Sequence, residues 1–519
     1  MASTPGAGDA FTDPSVPLIP TTNDPNNNAS TAASHEHMTV PDSLAVGRNA
    51  SLTLAADSLV VLDEASPHAK NASCCGISLP HKKNAPRSIP FFNILWAEHV
   101  SDGHIAIHYA QPVAKASVRP AMLSYTIEKS DGPLIDAWIE KLLDRAYGPS
   151  QRLKRIKVLV NPFGGQGSAV KIYNKHVAPI FAAARCELDV EKTMYNGHGV
   201  EIAQKIDIDA YDVVACCSGD GIPHEVWNGL GKRPDAARAL QKMAVAQLPC
   251  GSGNALSMNF NGTGDPSLAA VAIVKGLRTP LDLASVTQGD RRTLSFLSQS
   301  VGIVAETDLG TENLRWMGGA RFTWGFIVRL LNKTVYPADI AVKVEYDSKD
   351  AVREAYRAES AKLLRSSDDR AVPEADTGLP ALQYGTCSDP LPEGWELIPH
   401  DQLGNFYAGN IAFMATDANF FPGALPCDGC LDLVRIRGDL PRRTAIKTLM
   451  SIEKNTFFNL DHVDYKKVSA YRIIPRNQKD GYISIDGERV PFEGFQVEVH
   501  KGLGTSLSKS GRLCEAKGP

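Results

Sequence analysis

Residues 212–229 read DVVACCSGDGIPHEVWNG. Asp212 to Cys217 is a short apolar run bounded by a turn, the composition of a strand buried on both faces. Ser218-Gly219-Asp220-Gly221 breaks the run, and Ile222 to Leu230 then has helical spacing. An aspartate between two glycines at the end of a strand is unshielded. It can approach a reacting hydroxyl and orient or deprotonate it. Taken alone it can also be read as a solvated loop aspartate.

Working outward, the same rhythm repeats on both sides. Arg155 to Val160 (RIKVLV) reads as a strand, followed by the turn Asn161-Pro-Phe-Gly-Gly-Gln-Gly-Ser168. Ser168–Arg185 is helical, Cys186–Thr193 is strand-like and Gly199–Ile206 is helical. Ala244–Leu248 is a strand, Leu248-Pro-Cys-Gly-Ser-Gly-Asn-Ala255 is a further glycine turn, and Gly253–Asn259 starts a helix. Strands alternating with helices predict a mostly parallel, doubly wound sheet. Each glycine turn alone is ordinary, a tight strand-to-helix connection. Three at neighbouring strand ends converge on one crevice and point to nucleotide phosphates, because glycines let backbone N–H groups approach an anion. The Lys-Ser/Thr of a Walker A loop is absent, which argues against a P-loop NTPase.

Beyond Asp282 the pattern changes. Thr293–Val301, Asp339–Tyr346, Asn405–Met414, Cys430–Arg437, Lys467–Ile474 and Phe495–His500 are strand-like, with helical stretches at Ala320–Asn332 and Arg442–Lys454. This predicts an antiparallel, β-sandwich-like second domain. Upstream, short strand-like runs at Ser51, Leu59, Phe91, His104 and Met122 predict a small β-rich module. The expected organisation is a disordered tail over 1–45, the β-rich module over 46–150, the α/β nucleotide-binding domain over 151–283, the antiparallel domain over 284–507 with a surface insertion at 347–400, and a flexible end over 508–519.

Composition narrows the function. The chain has 519 residues, 54 Lys+Arg against 58 Asp+Glu, and a net charge of −4. That balance argues against a protein that coats nucleic acid. The 10 cysteines are sparse and lack a disulfide rhythm, which predicts a reducing compartment. No apolar run reaches membrane-spanning length, and the first basic residue is Arg48, so neither a secretory signal nor a presequence is expected.

The order NPFGGQG, SGDGIPHEVWNGL, LPCGSGNAL resembles the diacylglycerol-kinase-type catalytic domain and, within it, the sphingosine (long-chain base) kinases, over about residues 152–503. The resemblance implies an ATP-dependent lipid kinase that phosphorylates the primary hydroxyl of sphingosine, dihydrosphingosine or phytosphingosine, with Mg²⁺ and with transient membrane contact from the cytoplasm. Asp220 matches the proton acceptor, inside a substrate-contacting stretch Ser218, Gly219, Asp220, Gly221. Nucleotide contacts carry over to Asn161, Pro162, Phe163, Gly164, Gly165 and Gly167, then to Thr193, Met194, Tyr195, Asn196 and Gly197. They continue with Glu225 and with Gly251, Ser252 and Gly253. Arg315 and Arg321 are implied to hold phosphates, and Asp308 to pair with the substrate amine. Asp486, Gly487 and Glu488 match the final nucleotide motif, with Asp486 and Glu488 as candidate Mg²⁺ ligands. Asp486-Gly487 is also a hairpin-turn pair, and both readings can hold. Ile303, Val304 and Phe322 are implied to wall an acyl-chain pocket, with Arg442–Phe458 as its lid or, equally, as ordinary core. Gln166 departs from the pattern, since many relatives have Lys there. The long insertion and the N-terminal module resemble the fungal-type long form.

Two alternatives use or lack the same chemistry: a ceramide or diacylglycerol kinase, and a catalytically silent lipid-binding scaffold. Cys427-Asp-Gly-Cys430 lacks a second pair for zinc and reads as a turn into a strand. Cys216 and Cys217 read as core thiols, Cys74 and Cys75 as a candidate palmitoylation pair. His198 and His224 read as local hydrogen-bonding groups.

Overall fold

The computed structural model describes residues 40–63, 86–100, 103–114, 116–127, 132–164, 167–310, 325, 328–329, 334–365, 377–416 and 418–519. Gly165, Gln166, Arg315, Arg321, Phe322, Cys74, Cys75, most of the 1–45 tail and nearly all of the expected helix 320–332 lie outside these residues. From Pro41 onward the described chain is one compact unit.

The N-terminal part is built from β1 (Ser43–Val46), β2 (Ala50–Leu54), β3 (Ser58–Asp63) and β4 (Arg87–Pro90) in one antiparallel sheet, and β5 (Ile94–Val100), β6 (His104–Ala114) and β7 (Ser117–Thr126) in a second. Alternation explains the first sheet: Leu44, Val46, Leu52, Leu54, Leu59 and Val61 are buried, and the residues between them along each strand, Ala45, Thr53 and Val60, are less so. Strand β1 therefore starts inside the expected tail. A helix, α1 (Gly132–Tyr147), ends the β-rich region. Its Ile135, Trp138, Ile139, Leu142 and Leu143 share one buried face, a helical period within the stretch expected to be β-rich.

The next domain has β8 (Arg155–Val160), α2 (Ala169–Ile172), α3 (Ala178–Ala183), β9 (Glu187–Lys192), α4 (His198–Lys205), β10 (Val213–Ser218), α5 (Gly221–Gly231), α6 (Ala236–Lys242), β11 (Ala244–Pro249), α7 (Ala255–Asn261) and α8 (Pro266–Lys275). The four strands are parallel in the order β11-β10-β8-β9. Strands β10 and β11 are buried at every residue. The order reverses between β8 and β10, so the crevice for a ligand lies at the carboxyl ends of the strands. All three glycine turns leave from those ends.

The remainder comprises β12 (Leu277–Gln288), β13 (Arg291–Ser295), β14 (Ser298–Gly302), α9 (Ile303–Gly310), β15 (Ala338–Tyr346), α10 (Lys349–Arg365), β16 (Ile398–His400), β17 (Leu403–Gly409), β18 (Phe413–Ala415), β19 (Ala418–Asn419), β20 (Leu431–Arg437), α11 (Arg442–Glu453), β21 (Asp464–Pro475), β22 (Ile483–Ile485), β23 (Glu488–Val490) and β24 (Phe495–Ser508). All but β18 and β19 join one antiparallel sheet of 11 strands. The expected α/β plus antiparallel β architecture is thus present. The boundary at 283/284 is not a break in the core, because Leu281, Leu283, Leu294, Phe296 and Leu503 pack in one cluster with Trp227, Leu230 and Val245. Strand β24 also returns to the first domain, where Ser506 donates to the Val245 carbonyl at 2.9 Å.

Two expectations need correction. Residues 347–400 are more than a surface insertion. They begin with α10, anchored by buried Val352 and Ala355. Downstream, the Gln383 and Tyr384 N–H groups donate to Glu498 at 2.9 and 3.0 Å, and Arg472 donates to the Thr386 and Asp389 carbonyls at 2.8 and 2.9 Å. Backbone groups that would otherwise meet water are satisfied by strand side chains. Residues 508–519 are likewise tied down: the Glu515 N–H donates to the Asn259 carbonyl at 2.6 Å, and Cys514 packs against the core.

Candidate active site

The turn after β8 is closed by Asn161, whose Oδ1 accepts from the Phe163 N–H at 3.0 Å and whose carbonyl accepts from the Gly164 N–H at 3.1 Å. Beside it, the segment after β9 starts with buried Thr193, which donates its N–H to the Val160 carbonyl at 3.0 Å. Residues 161–163 and 193–195 therefore leave adjacent strands side by side. Phe163, Met194 and Tyr195 are 74%, 67% and 53% exposed. Three exposed apolar side chains at the carboxyl edge of a parallel sheet suit the flat face of a nucleotide base. Past Asn196, Gly197 takes φ +88°, which favours glycine, and starts α4. Glu225 on α5 fixes this segment, accepting from the Gly197 N–H at 3.0 Å and the Gly199 N–H at 2.7 Å.

Asp220 precedes α5. Its Oδ2 accepts from the Ala255 N–H at 3.0 Å; its Oδ1 accepts from the Leu256 N–H at 3.1 Å and Gln247 Nε2 at 3.2 Å. An ionised carboxylate has about four acceptor positions, so three donors leave one open on Oδ2. Burial pushes its pKa above the ordinary carboxylate value, against the opposite pull of these three hydrogen bonds. The turn after β11 approaches so closely that a Cβ on Gly251 would lie 2.4 Å from the Gly219 Cα, and one on Gly253 would lie 2.9 Å from Asp220 Oδ2. Only glycine fits at 251. Ser252 lies between these two glycines. Ser218 is buried and donates its hydroxyl to the Gly219 carbonyl at 2.7 Å.

Two residues outside the sequence-based set shape this centre. Gln247, 1% exposed, donates to Asp220 and accepts from the Ser257 N–H at 2.8 Å. Its signal was a lone amide inside the apolar strand AVAQLP. Asn254, with φ +55°, closes the turn by accepting from the Gly251 N–H and donating to the Gly251 carbonyl, both at 2.8 Å.

Asp486 and Gly487 form a two-residue hairpin loop between β22 and β23, with φ +53° and +85°. Both central residues left-handed is the type I′ arrangement. The Asp486 carboxylate accepts from Ser295 Oγ at 2.5 Å, from the N–H groups of Phe296, Leu297 and Ser298 at 3.0, 3.0 and 2.9 Å, and from His224 Nδ1 at 2.8 Å. Five donors fill every acceptor position. Asp486 does not fit the expected role of Mg²⁺ ligand; it clasps the β domain to α5, four residues from Asp220. Glu488 is exposed, with Oε1 3.3 Å from where a Cβ on Gly221 would stand. Among the described residues no group of three His, Cys, Asp or Glu side chains could hold a metal ion. Asp308 on α9 is in the same neighbourhood: its Oδ2 accepts from Ser484 Oγ at 3.3 Å and lies 3.7 Å from a Cβ position on Gly487. The histidines behave as expected, His198 Nδ1 accepting from the Met194 N–H at 3.2 Å and His224 pairing with Asp486.

Ile303 and Ala445 pack together with Val304 and Leu449. Val304 and Leu449 also border a second cluster containing Tyr407, Ile452 and Phe457. Two of the three expected walls, Ile303 and Val304 on α9, thus pack directly against α11; the third, Phe322, lies outside the described residues. The Cys427–Cys430 segment is a turn, with Gly429 at φ +85° and neither cysteine in a disulfide.

Residues 155–286 match the diacylglycerol kinase catalytic domain family, and residues 42–148 match a domain family of unknown function, DUF7493. Sphingoid long chain base kinase 5 of Saccharomyces cerevisiae is 36% identical over 439 residues, which cover 73% of this chain and 63% of that protein. Sphingoid long chain base kinase 4 of Schizosaccharomyces pombe is 33% identical over 431 residues, covering 82% of this chain and 89% of that one. Sphingosine kinase 1 of Rattus norvegicus is 31% identical over 382 residues, covering 70% and 95%.

Proposed function

The chain belongs to the sphingoid long-chain base kinase family, and from that premise we propose that it transfers the terminal phosphoryl group of ATP to the primary hydroxyl of a sphingoid base, with Asp220 taking the hydroxyl proton. The observation that carries this reading is the open acceptor position on Asp220 Oδ2, on a carboxylate held by Ala255, Leu256 and Gln247. A fixed carboxylate with a raised pKa accepts a proton more readily than a solvated one. The substrate oxygen then attacks phosphorus in line, while the glycine-turn amides stabilise equatorial charge. Phe163, Met194 and Tyr195 hold the base of the nucleotide, and Arg315 and Arg321 its phosphates. Glu488 would hold a magnesium ion bound with the nucleotide, whose charge would screen the phosphates.

Asp308 reads the ammonium group, which ceramide and diacylglycerol lack. The lipid chain is assigned to the apolar seam of α9 and α11, where Ile303, Val304, Ala445 and Leu449 pack together and must part to admit it, each buried methylene contributing about 0.8 kcal/mol. No helix among the described residues is long and apolar enough to cross a membrane. Contact with a lipid surface is assigned instead to the outer face of α11, where Ile446 and Met450 are 44% and 51% exposed beside Arg443 and Lys447. The test is transfer of labelled phosphate to sphinganine, ceramide and diacylglycerol in parallel, with wild type and Asp308→Ala. Labelling of sphinganine alone, with KM raised in the variant, is expected. Labelling of ceramide or diacylglycerol instead overturns the substrate; sphinganine binding without labelling points to a scaffold.

A further inference from the structure

Cys217 is the penultimate residue of β10, and Cys250 directly follows β11. Cys217 pairs with Leu248 across the parallel ladder, so Cys217 and Cys250 lie on the same face of the sheet. Their sulfurs are 3.3 Å apart and both thiols are free. Phosphoryl transfer uses no thiol, yet all three glycine turns hang on this pair. Ser218–Gly221 begins one residue after Cys217. Gly251–Gly253 begins one residue after Cys250. The first turn is tied to the same spot, because the Asn161 N–H donates to the Cys217 carbonyl at 3.1 Å and Cys217 Sγ lies 3.7 Å from the carbonyl of Ala169, which opens α2.

We propose that Cys217 and Cys250 form an oxidisable dithiol, a modification site at which a hydroperoxide introduces a disulfide and thereby disables the glycine turns. Cys250 is the entry point, at 5% exposure against 0% for Cys217. Its sulfur takes one oxygen from the hydroperoxide, which leaves as the alcohol or, from hydrogen peroxide, as water. The Cys217 sulfur then attacks the sulfenic sulfur; the S–S bond forms, the S–O bond breaks, and the hydroxyl leaves as water with the Cys217 proton. Two thiols and one hydroperoxide thus give one disulfide, one alcohol and one water. Bonded sulfurs sit about 2.05 Å apart, so the strand ends must shift. The turns have no slack to absorb that shift, since the Gly219 and Gly251 backbones already touch. Asp220 moves with them. A ligand lying on the turns covers Cys250, so an empty cleft reacts faster than a filled one.

The test treats the full chain with hydrogen peroxide, with and without a non-hydrolysable ATP analogue and Mg²⁺. A proteolytic digest under thiol-blocking conditions then maps the cross-links. A peptide joining Cys217 to Cys250 is expected, slowed by the analogue, with at least about a tenfold fall in kinase activity that dithiothreitol reverses. Cys217→Ser and Cys250→Ser, each compared with its own untreated activity, are expected to resist. Oxidation of other cysteines without that peptide overturns the proposal, as does a cross-linked enzyme of full activity or equal inactivation of both serine variants. Should one variant fold poorly, the other and the wild-type mapping decide. The mass readout does not need phosphorylation of a sphingoid base, so failure of that reading and of this one are separable.

Discussion

Asp220 and Asp486 both precede a glycine, both accept from backbone N–H groups, and they differ in what is left over. Asp220 takes three donors and keeps one acceptor position open toward the crevice. Asp486 takes five and keeps none. One carboxylate is held so that it can react; the other is consumed in holding. The lesson is about counting donors: an acid beside a glycine does chemistry only if its hydrogen-bond capacity exceeds its partners.

Isosteric amides break the pair apart. Asp220→Asn removes the proton acceptor and is expected to lower kcat by about 10²–10⁴-fold. Because burial raises the Asp220 pKa, its ionised form costs folding free energy at neutral pH. The variant sheds that cost but turns one carboxylate oxygen into a donor, facing the Ala255 N–H on one side or the Leu256 N–H and Gln247 amide on the other, so its denaturant midpoint should fall less than that of Asp486→Asn. Asp486→Asn keeps the proton acceptor but turns one oxygen into a donor facing N–H groups. A loss of about 2–4 kcal/mol in unfolding free energy is expected, with any activity loss following from displaced α5. If Asp486→Asn kills activity with no change in stability, the clasp assignment fails.

Gln247 sharpens the comparison from the reacting side. Its amide is one of the interactions that lower the Asp220 pKa. Gln247→Leu removes that pull, so Asp220 should titrate at a still higher pH. A base must be unprotonated to act, so the acid limb of the kcat/KM profile should move to higher pH, with kcat down roughly tenfold through loss of positioning. An unmoved acid limb would mean that Gln247 supports only the Ser257 N–H.

These two centres were unequally legible in the sequence. Asp220 was readable because its signal is local: an apolar strand, then Gly219 and Gly221 on either side. The three glycine turns and the strand–helix alternation were readable for the same reason, and they fixed the parallel sheet. Asp486 was misassigned as a metal ligand because its partners, Ser295 to Ser298 and His224, lie nearly 190 to 262 positions away. No window of sequence contains them. Gln247 hid in a strand whose other residues said only "buried", although a buried amide demands partners. Helix α1 was missed despite a clear period at Ile135, Trp138, Ile139 and Leu142, because the surrounding strands set the expectation.

The smallest expected effect concerns pH. Burial works against a charged His224, but the contact with Asp486, with Glu488 and Glu225 beyond it, outweighs burial and raises its pKa above the ordinary 6.5. A raised folded-state pKa means that the folded protein binds the proton more tightly than the unfolded chain. The clasp's ionic contribution is then fully present below pH 6.5 and is lost as pH rises through the folded value. His224→Gln should therefore destabilise most in mildly acidic buffer, and the gap to wild type should narrow toward alkaline pH. Each pKa unit corresponds to about 1.4 kcal/mol, so urea midpoints across that range read the shift directly. A gap of constant size would mean that the imidazole stays neutral and donates to Asp486 through an uncharged Nδ1–H.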